Sequence, residues 1–262
     1  MTITKYTTIF RIASRDQLIY LPSFLARNIF FIIVIYIFYA LWGAVYSGKD
    51  ALVGFTMVQT LWYLTFTEAI ELSQSRIFIQ ISEEVKDGTI AYQLGRPYSY
   101  IAYWVSKAMG ENLVKLVPML VEGFILASLL IGVLPGYLSA LPIGLIVLTG
   151  GILIGTLMQV CIGLLAFWFE EVMPFWWIIQ KLVFVIGGMF IPIDFYPDWL
   201  QGIAKMTPFA FASYWPASTI VAFSWSRAVT TLVGQAICIA VLAGVAMAIF
   251  RAAVRKLHVQ GG

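Results

Sequence analysis

The chain is predicted to be an all-α membrane protein with six transmembrane helices, on three observations. Of 262 residues, 61% are hydrophobic and 11% charged, with a mean hydropathy of +0.91. Soluble domains carry about 25% charged residues. Four long stretches hold no charge at all, and about 20 apolar residues are enough to cross a bilayer core. These stretches are continuous rather than alternating, which excludes a β-barrel. An aromatic content of 16% excludes disorder. The whole chain, 1–262, reads as a single transmembrane domain.

Residues 1–22 come first. Ile3, Tyr6, Ile9, Phe10 and Ala13 recur at helical spacing among Lys5, Arg11 and Arg15, which predicts a helix lying in the membrane interface and ending at Pro22. The uncharged stretches follow: 28–48 (21 residues), 51–67 (17), 123–169 (47) and 228–250 (23). Pro135-Gly136 cuts the longest into two spans. The run 172–193 is interrupted only by Lys181. Spans are therefore expected near 24–46, 52–75, 108–133, 141–169, 172–190 and 228–252. The first is read as retained rather than as a cleaved signal peptide. With the first residues inside, inner segments hold eleven basic residues and outer segments three, so both termini are expected in the cytoplasm.

Two connecting segments carry more than turn residues. In the inner segment 76–100, Ser82 caps a predicted helix that opens on Glu83 and Glu84 and stops at Gly95 and Pro97. Its apolar stripe, Ile81, Val85, Ile90 and Leu94, needs a cover: membrane, the rest of the chain, or a partner. The outer segment 187–225 mixes Gly187, Gly188, Pro192, Pro197, Pro208 and Pro216 with ten aromatic residues. That mixture predicts broken helices that re-enter the membrane without crossing it.

Chemical motifs are scarce. Gly43–Asp50 spells G-x-x-x-x-G-K but ends in Asp where a phosphate loop needs Ser or Thr, and a membrane helix precedes it. The chain is therefore expected not to be an enzyme and to hold no cofactor. His258 is the one histidine, and Cys161 and Cys238 are not in a metal-binding pattern, so no metal site is expected. Gly132/Gly136 and Gly151/Gly155 fit helix packing. Ionisable residues within spans are more informative, because each is costly in hydrocarbon. Glu68 and Glu71 lie near the inner end of the second span. Glu111 and Lys115 are spaced to pair on one face of the third, Glu122 lies further along it, and Lys181 is in the fifth. They mark either a substrate or proton path, or structural pairing; Glu122 is matched to Lys181 or to another subunit.

This order of parts resembles the ATP-binding cassette permeases of the second exporter type (ABC type-2), in their bacterial branch. The stretch Glu84-Val85-Lys86-Asp87-Gly88-Thr89-Ile90-Ala91-Tyr92-Gln93-Leu94-Gly95-Arg96-Pro97 is similar to that family's segment ending Leu-x-Arg-Pro. Gly187-Gly188-Met189-Phe190-Ile191-Pro192 through Pro197, then Thr207-Pro208-Phe209, look like its outer signature, and Val259-Gln260-Gly261-Gly262 its terminus. The resemblance implies a permease subunit of an ATP-driven exporter in a bacterial inner membrane. A second permease, identical or homologous, would face it across the substrate path. Cytoplasmic ATPase subunits would hold ATP and magnesium. Glu83 to Leu94, with Arg96 and Pro97, would dock into the ATPase and cover the apolar stripe; Gly187 to Phe211 would gate the exit. Membrane lipid is a further expected partner, and nucleic acid is not. Two other classes compete: an ion-coupled carrier using Glu111, Lys115, Glu122 and Lys181, and a membrane-embedded lipid enzyme. The first would show two broken regions in matching halves, where the chain has one. The second would need clustered catalytic groups.

Overall fold

The structure, a computed structural model, describes residues 2–19 and 21–260. The terminal Gly261-Gly262 that enter the family resemblance lie outside them. Helix α1 (Thr2–Ile19) leads into α2 (Leu21–Val45), whose first turn accommodates Pro22. A two-residue hairpin, β1 (Ala51–Leu52) and β2 (Phe55–Thr56), precedes α3 (Met57–Ser73). Then come α4 (Ile77–Lys86), α5 (Ile90–Leu94), α6 (Tyr100–Ile131), α7 (Tyr137–Leu164), α8 (Met173–Val185), α9 (Asp198–Lys205), α10 (Pro208–Ala212), α11 (Tyr214–Val221) and α12 (Trp225–Gln260).

Among the described residues, four helices are long and apolar enough to cross a membrane: α2, α6, α7 and α12. Three of them turn an apolar stripe outward at four-residue spacing: Ile29, Ile33, Ile37 and Leu41 on α2; Val117, Val121, Ile125 and Leu129 on α6; Val229, Val233, Ile237, Val241 and Val245 on α12. Residues four apart share a helix face, and in hydrocarbon an exposed apolar face carries no solvation cost. The polar groups go inward instead: Thr60, Thr65, Thr67, Asn112, Lys115, Thr156 and Gln159 are all buried. Helix α7 is the central element, with 67% of its apolar window buried against 11% for α12. Its glycines let neighbours approach. An ideal Cβ at Gly151 would overlap the carbonyl oxygen of Ala212, and one at Gly163 would lie 2.7 Å from Ile81 Cβ.

Several sequence expectations are corrected here. The second expected span loses its first residues to the hairpin, where Val53 and Gly54 both adopt positive φ and close a two-residue turn. Helix α3 then starts behind a capping box between Thr56 and Gln59. Its 17 residues extend about 26 Å, and the 13 residues of α8 about 20 Å. Neither reaches the length of the other four. Helix α6 begins eight residues before position 108, capped by Ser99. Gly132 and Gly136 are not a helix-packing pair. Both have positive φ in the α6–α7 turn, which Trp62 Nε1 holds by donating to the Gly132 carbonyl at 3.2 Å.

The segment 76–100 departs most from expectation. Its helix starts earlier, at Ile77, and Ser82 is a buried interior residue rather than a cap. The helix also breaks: Gly88 takes φ +77°, and the Asp87 carboxylate accepts from Thr89 N at 2.9 Å and Thr89 Oγ1 at 2.7 Å. These two bonds hold the Asp87 carboxyl below its ordinary range. The apolar stripe is covered by the chain itself. Ile77, Ile81 and Ile90 pack with Trp104 of α6, Val160 and Leu164 of α7 and Ala246 of α12. Val85 and Leu94, the other two residues of the stripe, are half-buried.

Candidate functional site

The α4–α5 unit is built as a braced projection. Glu84 acts inward: one carboxylate oxygen accepts from Gln93 Nε2 at 3.3 Å, the other from the Tyr100 hydroxyl at 2.8 Å. Lys86 pairs with Glu171 of the α7–α8 turn at 2.8 Å. Lys5 of α1 donates to the Pro97 carbonyl at 2.9 Å, and Tyr6 OH accepts from Ser99 N. Val85 and Leu94 are half-buried, whereas Glu83, Asp87, Gly88, Arg96 and Pro97 face outward. Tyr92 stands furthest out, at 79% exposed. So large an exposed aromatic ring on a fixed turn is the side chain that most often anchors a protein interface.

Above this unit a cleft of about 950 Å³ opens between α2, α3 and α8. Its floor is the break between α3 and α4, residues 74–76. Three cations reach this break. Arg27 of α2 donates to the Leu72 carbonyl at 3.1 Å, Lys115 of α6 donates to the Ser75 hydroxyl, and Arg76 belongs to the break itself. Asn112 Oδ1 accepts from Ser75 N at 2.8 Å and fixes the backbone there. The Lys115 ammonium lies 3.9 Å from Glu111, with both side chains buried, so the expected pair forms. One and two turns along α3 are Glu71 and Glu68; Gln180 of α8 donates to Glu71 at 3.1 Å. Phe30, Val34, Ile37, Phe38, Phe184 and Phe190 complete an apolar wall.

Glu122 and Lys181 are not among the residues that line this cleft, although Lys181 neighbours its wall at Phe184, and no ion pair or hydrogen bond joins the two among the described residues. Glu122 Oε2 is buried with no hydrogen-bond partner, whereas Lys181 is exposed with its ammonium over the Phe184 ring at 5.1 Å. The spacing of residues within one helix identified the Glu111–Lys115 pair. Arg27, Gln159 and Gln180 carried no such signal, because they reach the site from separate helices.

At the far end of α8, Gly187 and Gly188 turn the chain. Gly188 has φ +72°, and its carbonyl accepts from the buried Tyr63 hydroxyl of α3. Thr67 Oγ1 donates to the Met189 carbonyl at 2.9 Å, and Phe190 packs edge-on against Phe184 and Phe38. Pro192 introduces a 3-10 turn, Pro197 precedes α9 and Pro208 opens α10 behind its cap Thr207. Asp194 ties these pieces together, pairing with Lys205 at 2.8 Å and accepting from Tyr214 OH at 2.8 Å. The segment is thus a set of short helices pinned to α3 through two backbone carbonyls. Tyr63→Phe leaves the Gly188 carbonyl buried without its donor. A loss of about 1–3 kcal/mol is expected, read as a lower midpoint of thermal unfolding in detergent.

A family model described as ABC-2 family transporter protein matches residues 24–261. No curated protein matches the chain.

Proposed function

The chain belongs to the ABC-2 transporter family, a membrane transport family, and on that premise we propose that it is the permease subunit of an ATP-driven exporter in a bacterial inner membrane. In this reading the chain crosses the bilayer six times, with α3 and α8 as the two short crossings. The course of α8 supports this: it starts after the turn that Lys86 reaches through Glu171 and leads beyond Val185 into Gly188, whose carbonyl Tyr63 holds from the first half of α3. Helix α1 and the α4–α5 unit then lie on the cytoplasmic side. The chain supplies no phosphate-binding loop, so ATP and magnesium sit on partner ATPases.

The observation that carries the coupling role is the construction of the α4–α5 turn. Its apolar side is buried by α6, α7 and α12, and it presents Tyr92 outward. A turn braced to three long helices transmits a push from below to all of them. A second permease, identical or homologous, faces the cleft and completes the substrate path, and the segment 187–211 closes its outer end. Glu122, with an unpartnered buried oxygen on α6, stands apart from this path.

Tyr92→Ala tests the docking role. Truncating an interface anchor of this kind costs about 2 kcal/mol or more, roughly a thirtyfold loss of affinity. The variant is expected to reach the membrane at parental levels and to lose its co-purifying ATPase. Undiminished capture of the ATPase would overturn the docking role.

A further inference from the structure

We propose that the cleft between α2, α3 and α8 binds an amphiphilic anion: a phosphate, sulfate or carboxylate head on a hydrocarbon tail. The proposal rests on the reading above that this cleft is part of the substrate path, and it names the class of molecule that fits. The charges in the cleft are not equally engaged. Glu111 sits beside Lys115, Glu71 accepts from Gln180, and Glu68 is 4% exposed. Arg27 and Arg76 face the same space; Arg27 attracts Glu111 and Arg76 attracts Glu71 at a distance, but neither guanidinium makes a contact ion pair with a carboxylate among the described residues, so their donor forks stay open to a ligand. Arg27 spends one donor on the Leu72 carbonyl, which orients its guanidinium toward the break, and Arg76 is exposed beside it. A guanidinium is a fork of donors that matches an anionic head with two parallel hydrogen bonds, and two on one floor provide two such forks.

The rest of the lining selects the tail. From the floor upward the wall is apolar and aromatic, through Phe30, Val34, Phe38, Phe184 and Phe190. The outer rim of α2 continues it with Ile33 and Ile37, half or more exposed. A molecule with its head on Arg27 and Arg76 can therefore lay its tail along this wall. An inorganic anion would satisfy the guanidinium groups and leave the wall empty, and a cationic amphiphile would meet the arginines with like charge. An anionic head joined to a tail is the chemistry that uses both parts.

The test uses the full chain in a neutral maltoside detergent, titrated with dodecyl phosphate, dodecyltrimethylammonium and inorganic phosphate, with bound molecules counted by native mass spectrometry. Saturable binding of dodecyl phosphate is expected, at least about tenfold tighter than either of the other two. In R27Q/R76Q that preference is expected to fall at least about tenfold, and R27K/R76K is expected to recover part of it. K49Q, at the opposite end of the bundle, is expected to bind as the parent does. Equal or tighter binding of the ammonium probe, inorganic phosphate binding as well as the dodecyl ester, or an unchanged preference in R27Q/R76Q would each overturn the proposal. If R27Q/R76Q fails to fold, the ranking of the three probes on the parent chain still decides. The measurement involves no ATPase, so its failure is distinct from a failure of the permease reading, which ATPase capture tests.

Discussion

Lys115→Ala is expected to destabilise the chain by about 3–5 kcal/mol. Lys115 and Glu111 are buried to 5% and 6% exposure, and the ammonium also donates to Ser75 at the α3–α4 break. Removing the lysine strands the Glu111 charge and frees the Ser75 hydroxyl in one step. Most of the cost comes from the stranded carboxylate rather than from the lost attraction, because a buried pair roughly balances its own desolvation. The double variant Glu111→Leu with Lys115→Met removes both charges and keeps the volume. It is expected to recover most of the loss. Thermal unfolding of the detergent-solubilised chain, followed by retention of the monodisperse peak, measures both. A double variant no more stable than Lys115→Ala would show that the pair does not act as a unit.

Gly151→Leu is the second large effect. At the centre of α7 the helix meets α10 and α11, and a Cβ at Gly151 would overlap the Ala212 carbonyl oxygen and lie 3.1 Å from Pro216 Cγ. Backbone does not yield as the end of a flexible side chain does. The helices must part, and a loss of about 3 kcal/mol or more is expected. Gly202 offers the contrast, since a Cβ there meets nothing within 4 Å. Gly202→Leu is expected to leave the unfolding midpoint close to the parental value. Equal destabilisation by the two would mean that the close packing of α7 on α10 is not what Gly151 provides.

What could be read from the sequence followed from the range of each signal. Helices α2 and α12 lie where the uncharged runs 28–48 and 228–250 place them, because continuous apolarity is a local property and the bilayer supplies its reason. The Glu111–Lys115 pair was legible for the same reason, from i,i+4 spacing on one helix. The hairpin at 51–56 was hidden because its residues are apolar, and only the conformation of Val53 and Gly54 separates it from the start of α3. Gly88 lies inside a single expected helix, whereas its positive φ and the Asp87–Thr89 bonds divide α4 from α5. The cleft had no local signature. It needs Arg27 from α2, Glu71 from α3, Lys115 from α6 and Gln180 from α8, four helices whose juxtaposition no periodicity encodes. The covered stripe of α4 is the same lesson with the opposite sign: amphipathicity marked a face to be buried, and the packing of α6, α7 and α12 determined what buries it.

The measurement that tests the central claim most directly is gentle extraction of the tagged chain from its native membrane, with identification of what accompanies it. The permease reading predicts a soluble subunit bearing a G-x-x-x-x-G-K-[ST] loop, retained by the parent chain and lost with Tyr92→Ala. A chain that comes out without any such subunit across several mild detergents would contradict it.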